Sequence, residues 1–182
     1  HDACGVGFVA TTNGKKTRQV VDFGIQVLKA VWHRGAVDAD GKTGDGAGIH
    51  IEISKEFFIE RIENAGRRHD KGEICVGMIF LPRNDYISQE KCKTIVENEL
   101  LRKNYYVYRW RQVPVNTKVL GQKAENNRPE IVQVIFKSNN VDLKGDELER
   151  DLFFIRKKIE KQSNILKQKD FYISSFSSRS II

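Results

Sequence analysis

The chain has 182 residues, of which 40% are hydrophobic and 30% charged, with 31 basic against 24 acidic side chains. This length can bury the core of one domain, and no apolar run approaches the roughly 20 residues that a membrane span needs. The three cysteines, Cys4, Cys75 and Cys92, include no CxxC pair. That spacing argues against a structural zinc site or a disulfide framework and favours a reducing compartment.

The hydrophobic pattern predicts a mixed series of strands and helices along the chain. Strands are predicted at 5–9, 49–53, 74–81, 131–136 and 171–176, with a further strand among the aromatic residues after 104 and one beginning at 181. Helices are predicted at about 17–32, after Ser54, after Ser88 and from about 146. The connection at 33–48 is rich in glycine, and a polar connection precedes the strand at 131–136.

Three of these helices carry signals for their starts or their buried faces. Ser54 and Ser88 are plausible N-cap residues, because a serine side chain can accept from the first free N–H groups of a helix. The buried face of the helix after Ser54 is predicted to hold Phe57, Phe58 and Ile62. The buried face of the helix after Ser88 is predicted to hold Cys92, Ile95, Val96 and Leu100. The buried face of the helix from about 146 is predicted to hold Leu148, Leu152, Ile155 and Ile159.

A basic stretch at 102–123 has two interpretations. It holds six basic residues and no acidic one, with four aromatic residues among them: Tyr105, Tyr106, Tyr108 and Trp110. This pattern is typical of a platform on which single-stranded nucleic acid stacks. It also fits a half-buried strand in which Tyr106, Tyr108 and Trp110 share one face. We favour the strand, because no RRM, KH or zinc-finger signature accompanies the stretch.

Glycine is concentrated near the start of the chain, where nine of the fourteen glycines lie in the first 48 residues. Such a density indicates unusual backbone dihedrals or a close approach of the main chain to a ligand. A phosphate-binding loop at 44–48 is disfavoured, because the Lys-Ser/Thr pair of a P-loop does not follow and Asp45 would repel a phosphate.

Cys4 is the candidate nucleophile. A lone cysteine before an apolar strand is commonly a small buried hydrophobe, and a catalytic cysteine needs a base or a local positive field to become a thiolate. If the chain began at Cys4, its own α-amino group, with a reference pKa of about 7.7–8, would be the nearest base. In the printed sequence that nitrogen is an amide, so this chemistry requires the removal of residues 1–3.

Three motifs in the first 49 residues carry a resemblance to a known family. They are ACGVGF at 3–8, HRGA at 33–36 and DGKTGDGAGI at 40–49. Weaker similarities follow at 110–115, 129–134 and 171–179. Together these residues resemble the N-terminal class II glutamine amidotransferase domain of the glutamate synthase large subunit, an N-terminal-nucleophile hydrolase.

The resemblance implies a glutaminase. The Cys4 thiolate would attack the side-chain amide of L-glutamine, release ammonia and leave a γ-glutamyl thioester for water to hydrolyse. In this family a short propeptide is removed to free the cysteine, so residues 1–3 are expected to be the remnant of a propeptide.

The resemblance also implies roles for residues around the glycine-rich connection. Arg34 is expected to organise the glutamine pocket, although it could instead act only as a cation at the C-terminus of the preceding helix. Gly35 suits a sharp exit from that helix and is expected, with Arg34 and Asp45, to organise the pocket. Asp45 is expected to hold the glycine loop through side-chain hydrogen bonds rather than to act in catalysis. A Cys–His pair with His33 is unnecessary where the terminal amine serves as base.

The fold class implied is α+β, the four-layer α/β/β/α sandwich of the N-terminal-nucleophile hydrolases, truncated at its C-terminal side. Residues 1–182 would form the N-terminal portion of the amidotransferase domain. The Asn-Gly oxyanion pair and the residues that hold glutamine are expected beyond residue 182, so this stretch alone is predicted to be inactive. No cofactor or metal is expected in this segment, while FMN and an iron–sulfur cluster are implied elsewhere in the full-length protein.

The partners implied are L-glutamine, the synthase domains of the same chain that act on 2-oxoglutarate, and an electron-donating small subunit or ferredoxin. No membrane partner is expected, and the location implied is the cytoplasm or a plastid. Two alternatives stay open. One is another N-terminal-nucleophile amidase that prefers a different amide, and the other is a basic nucleic-acid-binding module that uses residues 102–123.

Overall fold

A computed structural model describes residues 5–168 and 170–182, and the chain divides into two compact units. Unit 1 comprises residues 5–51 with 115–128, and unit 2 comprises 52–114 with 129–182. The predicted nucleophile, Cys4, and the predicted propeptide remnant lie outside the described residues.

The described residues form five helices, two 3-10 turns and six strands. The helices are α1 (Arg18–Ala30), α2 (Lys55–Glu63), α3 (Tyr86–Arg102), α4 (Gln122–Asn127) and α5 (Gly145–Ile165). The 3-10 turns are Trp32–Arg34 and Thr117–Val119. The strands are β1 (Ile51–Glu52), β2 (Ile74–Leu81), β3 (Tyr105–Gln112), β4 (Glu130–Ser138), β5 (Tyr172–Ser177) and β6 (Ser180–Ile181). Helices and antiparallel sheets make this an α+β chain, as predicted.

The main sheet of unit 2 has four strands in the order β3-β4-β2-β5, and every neighbouring pair is antiparallel. The central strands β2 and β4 pair over their full length, from Ile74 opposite Lys137 to Leu81 opposite Glu130. The short strands β1 and β6 form a separate two-stranded sheet. Beside it, the Ile53 backbone N–H donates to the Arg179 carbonyl at 2.9 Å.

The core of unit 2 lies where α3 and α5 pack on the four-stranded sheet. The predicted stripes of both helices are buried, and their side chains join Cys75, Ile79 and Phe136 of the sheet in one hydrophobic cluster. On α2, Phe58 and Ile62 are buried as predicted, whereas Phe57 is only half-buried. Burial of complete apolar faces is the main term that stabilises elements of this kind.

The aromatic strand differs from its prediction because of a β-bulge. Along β3 the pairing with β4 shifts register between Val107 and Arg109, which places Tyr108 as the extra residue. A bulge reverses the alternation of side chains for the rest of the strand. Trp110 therefore packs against the α3/α5 core, while Tyr106 is 43% exposed and contacts Tyr108 at a ring-centroid distance of 5.1 Å. The prediction that Trp110 shares the face of Tyr106 is wrong.

The two predicted serine caps also differ from the structure. The N-cap of α3 is Asp85, whose carboxylate accepts from the Ser88 backbone N–H at 2.9 Å and from the Ser88 hydroxyl at 2.6 Å. Aspartate competes well for an N-cap position because its charge also favours the helix dipole. Ser54 does occupy the N-cap position of α2, but its side chain makes no capping hydrogen bond there.

Two further predictions fail in unit 1. Residues 5–9 are not a strand, because no partner strand lies beside them within the described residues. The connection before β4 is not merely polar loop, since it contains the 3-10 turn at 117–119 and α4. No helix among the described residues is long and apolar enough to cross a membrane.

Candidate functional site

The segment that follows Cys4 lies against the C-terminal half of α1. A Cβ built on Gly5 would be 3.1 Å from the Cβ of Val31 and 3.4 Å from the Cβ of Arg34. A Cβ on Gly7 would be 2.6 Å from a methyl carbon of Val27. Both glycines are therefore explained by close approach of the main chain to α1 and the turn after it.

Arg34 ends the 3-10 turn that follows α1. The Arg34 backbone N–H donates to the Val31 carbonyl at 2.9 Å, and Nδ1 of His33 lies 3.2 Å from the Ala30 carbonyl oxygen. Arg34 is exposed, and within the described residues its guanidinium makes no hydrogen bond or ion pair. The turn thus fixes the backbone of Arg34 beside Gly5 and leaves five N–H donors available to a ligand.

Gly35 does not need to be glycine for the exit from this turn. Its φ of −91° and ψ of 152° are extended values that any residue adopts. A Cβ there would lie 3.5 Å from the Trp32 carbonyl oxygen, which is an ordinary contact. The conformational reason predicted for Gly35 is wrong, and nothing in the described backbone explains this glycine. Its place in a glutamine pocket stays a prediction.

The glycine-rich connection is a closed loop. Oδ2 of Asp45 accepts from the Ala36 backbone N–H at 2.8 Å, and Val37 pairs with Gly44 in an isolated antiparallel bridge. Gly46 has a φ of 89°, a left-handed value that glycine adopts without strain. Asp45 therefore makes the loop-holding hydrogen bond expected of it, and its place in a glutamine pocket stays a prediction.

The far end of the loop is organised by Asp40. One oxygen of its carboxylate accepts from the backbone N–H groups of Lys42 and Thr43 at 2.9 and 2.7 Å, and the other accepts from the Thr43 hydroxyl at 2.5 Å. These donors, the hydroxyl first among them, hold the pKa of Asp40 well below its usual range. Asp40 is therefore ionised throughout the neutral range and acts as the acceptor around which the turn is built.

The basic stretch at 102–123 does not form an aromatic platform. Tyr105 and Tyr108 are each 1% exposed, and the Trp110 indole donates to Glu97 of α3 at 2.7 Å. Several of the cations are also engaged, as in the pairs Arg102–Glu99, Lys103–Asp151 and Lys123–Asp38. Bases need exposed rings to stack upon, so the strand interpretation is the one that the structure bears out.

The two described cysteines are poor nucleophiles. Cys75 and Cys92 are both buried and free. Burial raises the pKa of the Cys75 thiol well above its usual range and that of Cys92 to about 11. Because the thiolate is the reactive form, neither thiol is activated for catalysis at neutral pH.

The described residues contain no group of three or more His, Cys, Asp or Glu side chains that could hold a metal ion. The polar groups that unit 1 brings to the candidate site are the Arg34 guanidinium, the loop closed by Asp45, and the main chain after Cys4. The segment at 117–124 contacts this loop and was not among the site residues predicted from the sequence. The one sequence feature that pointed to this segment was Gly121, an isolated glycine, and this glycine is buried.

Comparison with known proteins identifies relatives along the whole chain. Residues 4–182 match the glutamine amidotransferases class-II family. The chain is 52% identical over 182 residues to the "Glutamate synthase [NADPH] large chain" of Azospirillum brasilense, covering all of this chain and 12% of that protein. It is 38% identical over 185 residues to the "Ferredoxin-dependent glutamate synthase" of Pyropia yezoensis, again covering all of this chain and 12% of that protein. The chain thus spans about an eighth of the length of these relatives.

Proposed function

The chain belongs to the class II glutamine amidotransferase family, and on this basis we propose that it is the glutaminase part of a glutamate synthase, hydrolysing L-glutamine to glutamate and ammonia. The observation that carries the proposal is the family match over residues 4–182 together with 52% identity to a glutamate synthase large chain. The match begins at Cys4, the residue that an N-terminal nucleophile would place at the start of the mature protein.

The reaction proceeds through a thioester on Cys4. Once residues 1–3 are removed, the free α-amino group takes the thiol proton, directly or through water, because its pKa lies close to neutrality. The thiolate then attacks the side-chain carbonyl carbon of glutamine, and the C–N bond breaks as the proton passes to the leaving nitrogen, which departs as ammonia. Water adds to the γ-glutamyl thioester, releases glutamate and returns the proton to the sulfur.

Unit 1 contains the described residues that directly follow this nucleophile in the chain. Gly5, the neighbour of Cys4 in the chain, lies against Val31 and Arg34. Arg34 presents a guanidinium with no partner among the described residues, and a guanidinium forks well onto a carboxylate or a carbonyl oxygen. Arg34 is therefore assigned to orienting glutamine, and Asp45 to holding the loop that follows it.

The remainder of the catalytic apparatus is proposed to lie in the rest of a longer protein, with residues 1–182 forming the N-terminal portion of the amidotransferase domain. The oxyanion pair, the groups that hold the α-carboxylate and α-amino groups of glutamine, FMN and an iron–sulfur cluster are assigned to that remainder. Ammonia would pass to a synthase domain acting on 2-oxoglutarate, with electrons from ferredoxin or from NADPH through a small subunit. The cytoplasm or a plastid is the proposed location.

The experiment is a glutaminase assay on the full-length protein purified from its host. We expect release of glutamate and ammonia from L-glutamine in preference to L-asparagine and other amides. A Cys4→Ala variant should lose this activity, and Cys92→Ala, a matched change at a buried thiol, should retain it. Retained activity in Cys4→Ala would overturn the proposal, and preference for another amide would instead indicate a different N-terminal-nucleophile amidase.

A further inference from the structure

The segment at 117–124 is attached to the glycine loop at three separate points within unit 1. The Lys123 ammonium forms an ion pair with Oδ2 of Asp38. The Ala124 backbone N–H donates to Oγ1 of Thr43 at 3.3 Å. Gly121 packs directly on Asp40 and Thr43.

The contact at Gly121 leaves no room for a side chain. A Cβ there would be 2.7 Å from the Thr43 backbone nitrogen and nearer still to the Asp40 carboxylate and the Thr43 hydroxyl. Its φ of −73° is an ordinary value, so the requirement for glycine comes from packing and not from backbone conformation. A larger residue at position 121 must push the Asp40–Thr43 turn away.

The turn that Gly121 touches is held together by internal hydrogen bonds. Asp40 binds the hydroxyl and backbone N–H of Thr43, and the Asp38 backbone N–H donates to the Thr43 carbonyl at 2.7 Å. Thr43 thus connects the turn to both Asp38 and Ala124. We therefore expect a larger residue at position 121 to displace the whole of 38–43 and not one side chain alone.

Both ends of this turn continue along the chain into residues of the candidate site. Residues 37 and 44 form the bridge at the base of the turn, and the next residues outward, Ala36 and Asp45, are joined by the 2.8 Å hydrogen bond. Arg34 lies two residues before Ala36. The segment at 117–124 therefore fixes the loop whose first residues follow Arg34 and whose last residues include Asp45.

We propose that Gly121 and Lys123 are positioning residues for glutamine binding, acting through Asp38, Asp40 and Thr43 on the Arg34–Asp45 loop. This inference rests on the proposed glutaminase function. Neither residue carries a group that the proposed reaction uses, so we expect their loss to raise the KM for L-glutamine and to leave kcat little changed.

The test uses the mature full-length protein with five variants. Gly121→Ala should raise the KM about tenfold, as expected for one overpacked contact. Lys123→Ala should raise it about two- to fivefold, because the ion pair is partly exposed. Thr43→Val should raise it and Thr43→Ser should restore it, since serine keeps the hydroxyl that binds Asp40. Lys118→Ala is the matched control, because the Lys118 side chain has no ion pair among the described residues, and it should behave as the parent does.

A second readout does not depend on activity. Hydrogen exchange of the amides at 36–48 should be faster in Lys123→Ala and Thr43→Val than in the parent and in Lys118→Ala. Unchanged KM and unchanged exchange in these two variants would overturn the inference even if Gly121→Ala fails to fold. Faster exchange in a protein that does not hydrolyse glutamine would show that the segment holds the loop and that the proposed function is wrong.

Discussion

Gly5 and Arg34 are neighbours in the structure although 28 residues separate them in the chain. A Cβ built on Gly5 would lie 3.4 Å from that of Arg34. The residue that follows the proposed nucleophile thus packs against the residue proposed to orient its substrate. Both owe this position to α1, which ends just before the turn that carries Arg34.

Replacing Gly5 with alanine tests this relationship. The added methyl group would lie 3.1 Å from the Val31 Cβ as well, so either the main chain at position 5 or the end of α1 must shift by a few tenths of an ångström. A misplacement near the reacting atoms is costly, and we expect kcat/KM for L-glutamine to fall about tenfold or more in a folded protein. Thr12→Ala, an exposed change in the same segment, is the control. Equal kcat/KM in parent and Gly5→Ala would refute the close relationship.

Thiol labelling should be selective for Cys4. Cys75 and Cys92 are buried, and their thiol pKa values are raised by that burial, so neither supplies thiolate at neutral pH. Iodoacetamide at neutral pH should modify Cys4 in the native protein, as read by peptide mass mapping, and abolish glutaminase activity. The denatured protein should be labelled at all three positions. Rapid labelling of Cys75 or Cys92 in the native state would contradict their burial.

Two leucines, one buried in the α3/α5 core and one exposed, allow a matched test of stability. Leu152 of α5 is fully buried, whereas Leu101 of α3 is 64% exposed. Leu152→Ala should lower the free energy of unfolding by about 2–5 kcal/mol, because it removes apolar contacts and leaves a cavity. Leu101→Ala deletes the same atoms at the surface and should cost less than about 1 kcal/mol. Urea unfolding of the two variants measures the difference, and equal losses would mean that the helix faces are assigned wrongly.

The buried faces were the most predictable part of the fold. The stripes on α3 and α5 follow from the helical spacing of apolar residues, which places them on one face of each helix. The face of Trp110 was not predictable in this way, since the bulge at Tyr108 depends on how β3 pairs with β4. The cap of α3 was missed because Asp85 and Ser88 both suit that role and only the backbone decides between them.

The candidate site also contains residues that the sequence could predict and one that it could not. Cys4, Arg34 and Asp45 could be selected from the sequence because they stand in motifs that resemble a family. Gly121 could not be selected in this way, because its lack of room for a side chain comes from a contact with Asp40, 81 positions earlier in the chain. No local pattern encodes that contact.

His69 predicts a pH effect in unit 2. Its Nδ1 lies 2.8 Å from the Tyr108 hydroxyl, and burial, followed by the charge of Lys137, lowers the pKa of the imidazole. The folded state therefore favours the neutral imidazole. His69 stabilises the folded state when the pH is above the ordinary histidine pKa of about 6.5, and this stabilisation is lost as the pH falls below that value. Between pH 8 and pH 5 the parent should lose more unfolding free energy than His69→Gln. An equal loss in both would show that His69 titrates normally.

In the proposed mechanism the free α-amino group of Cys4 activates the thiol of the same residue. The most direct measurement is the intact mass and N-terminal sequence of the active full-length protein, taken alongside its rate of glutamine hydrolysis. We expect active molecules to begin at Cys4 and molecules that retain residues 1–3 to be inactive. Full turnover by protein in which the Cys4 nitrogen is still an amide would contradict it.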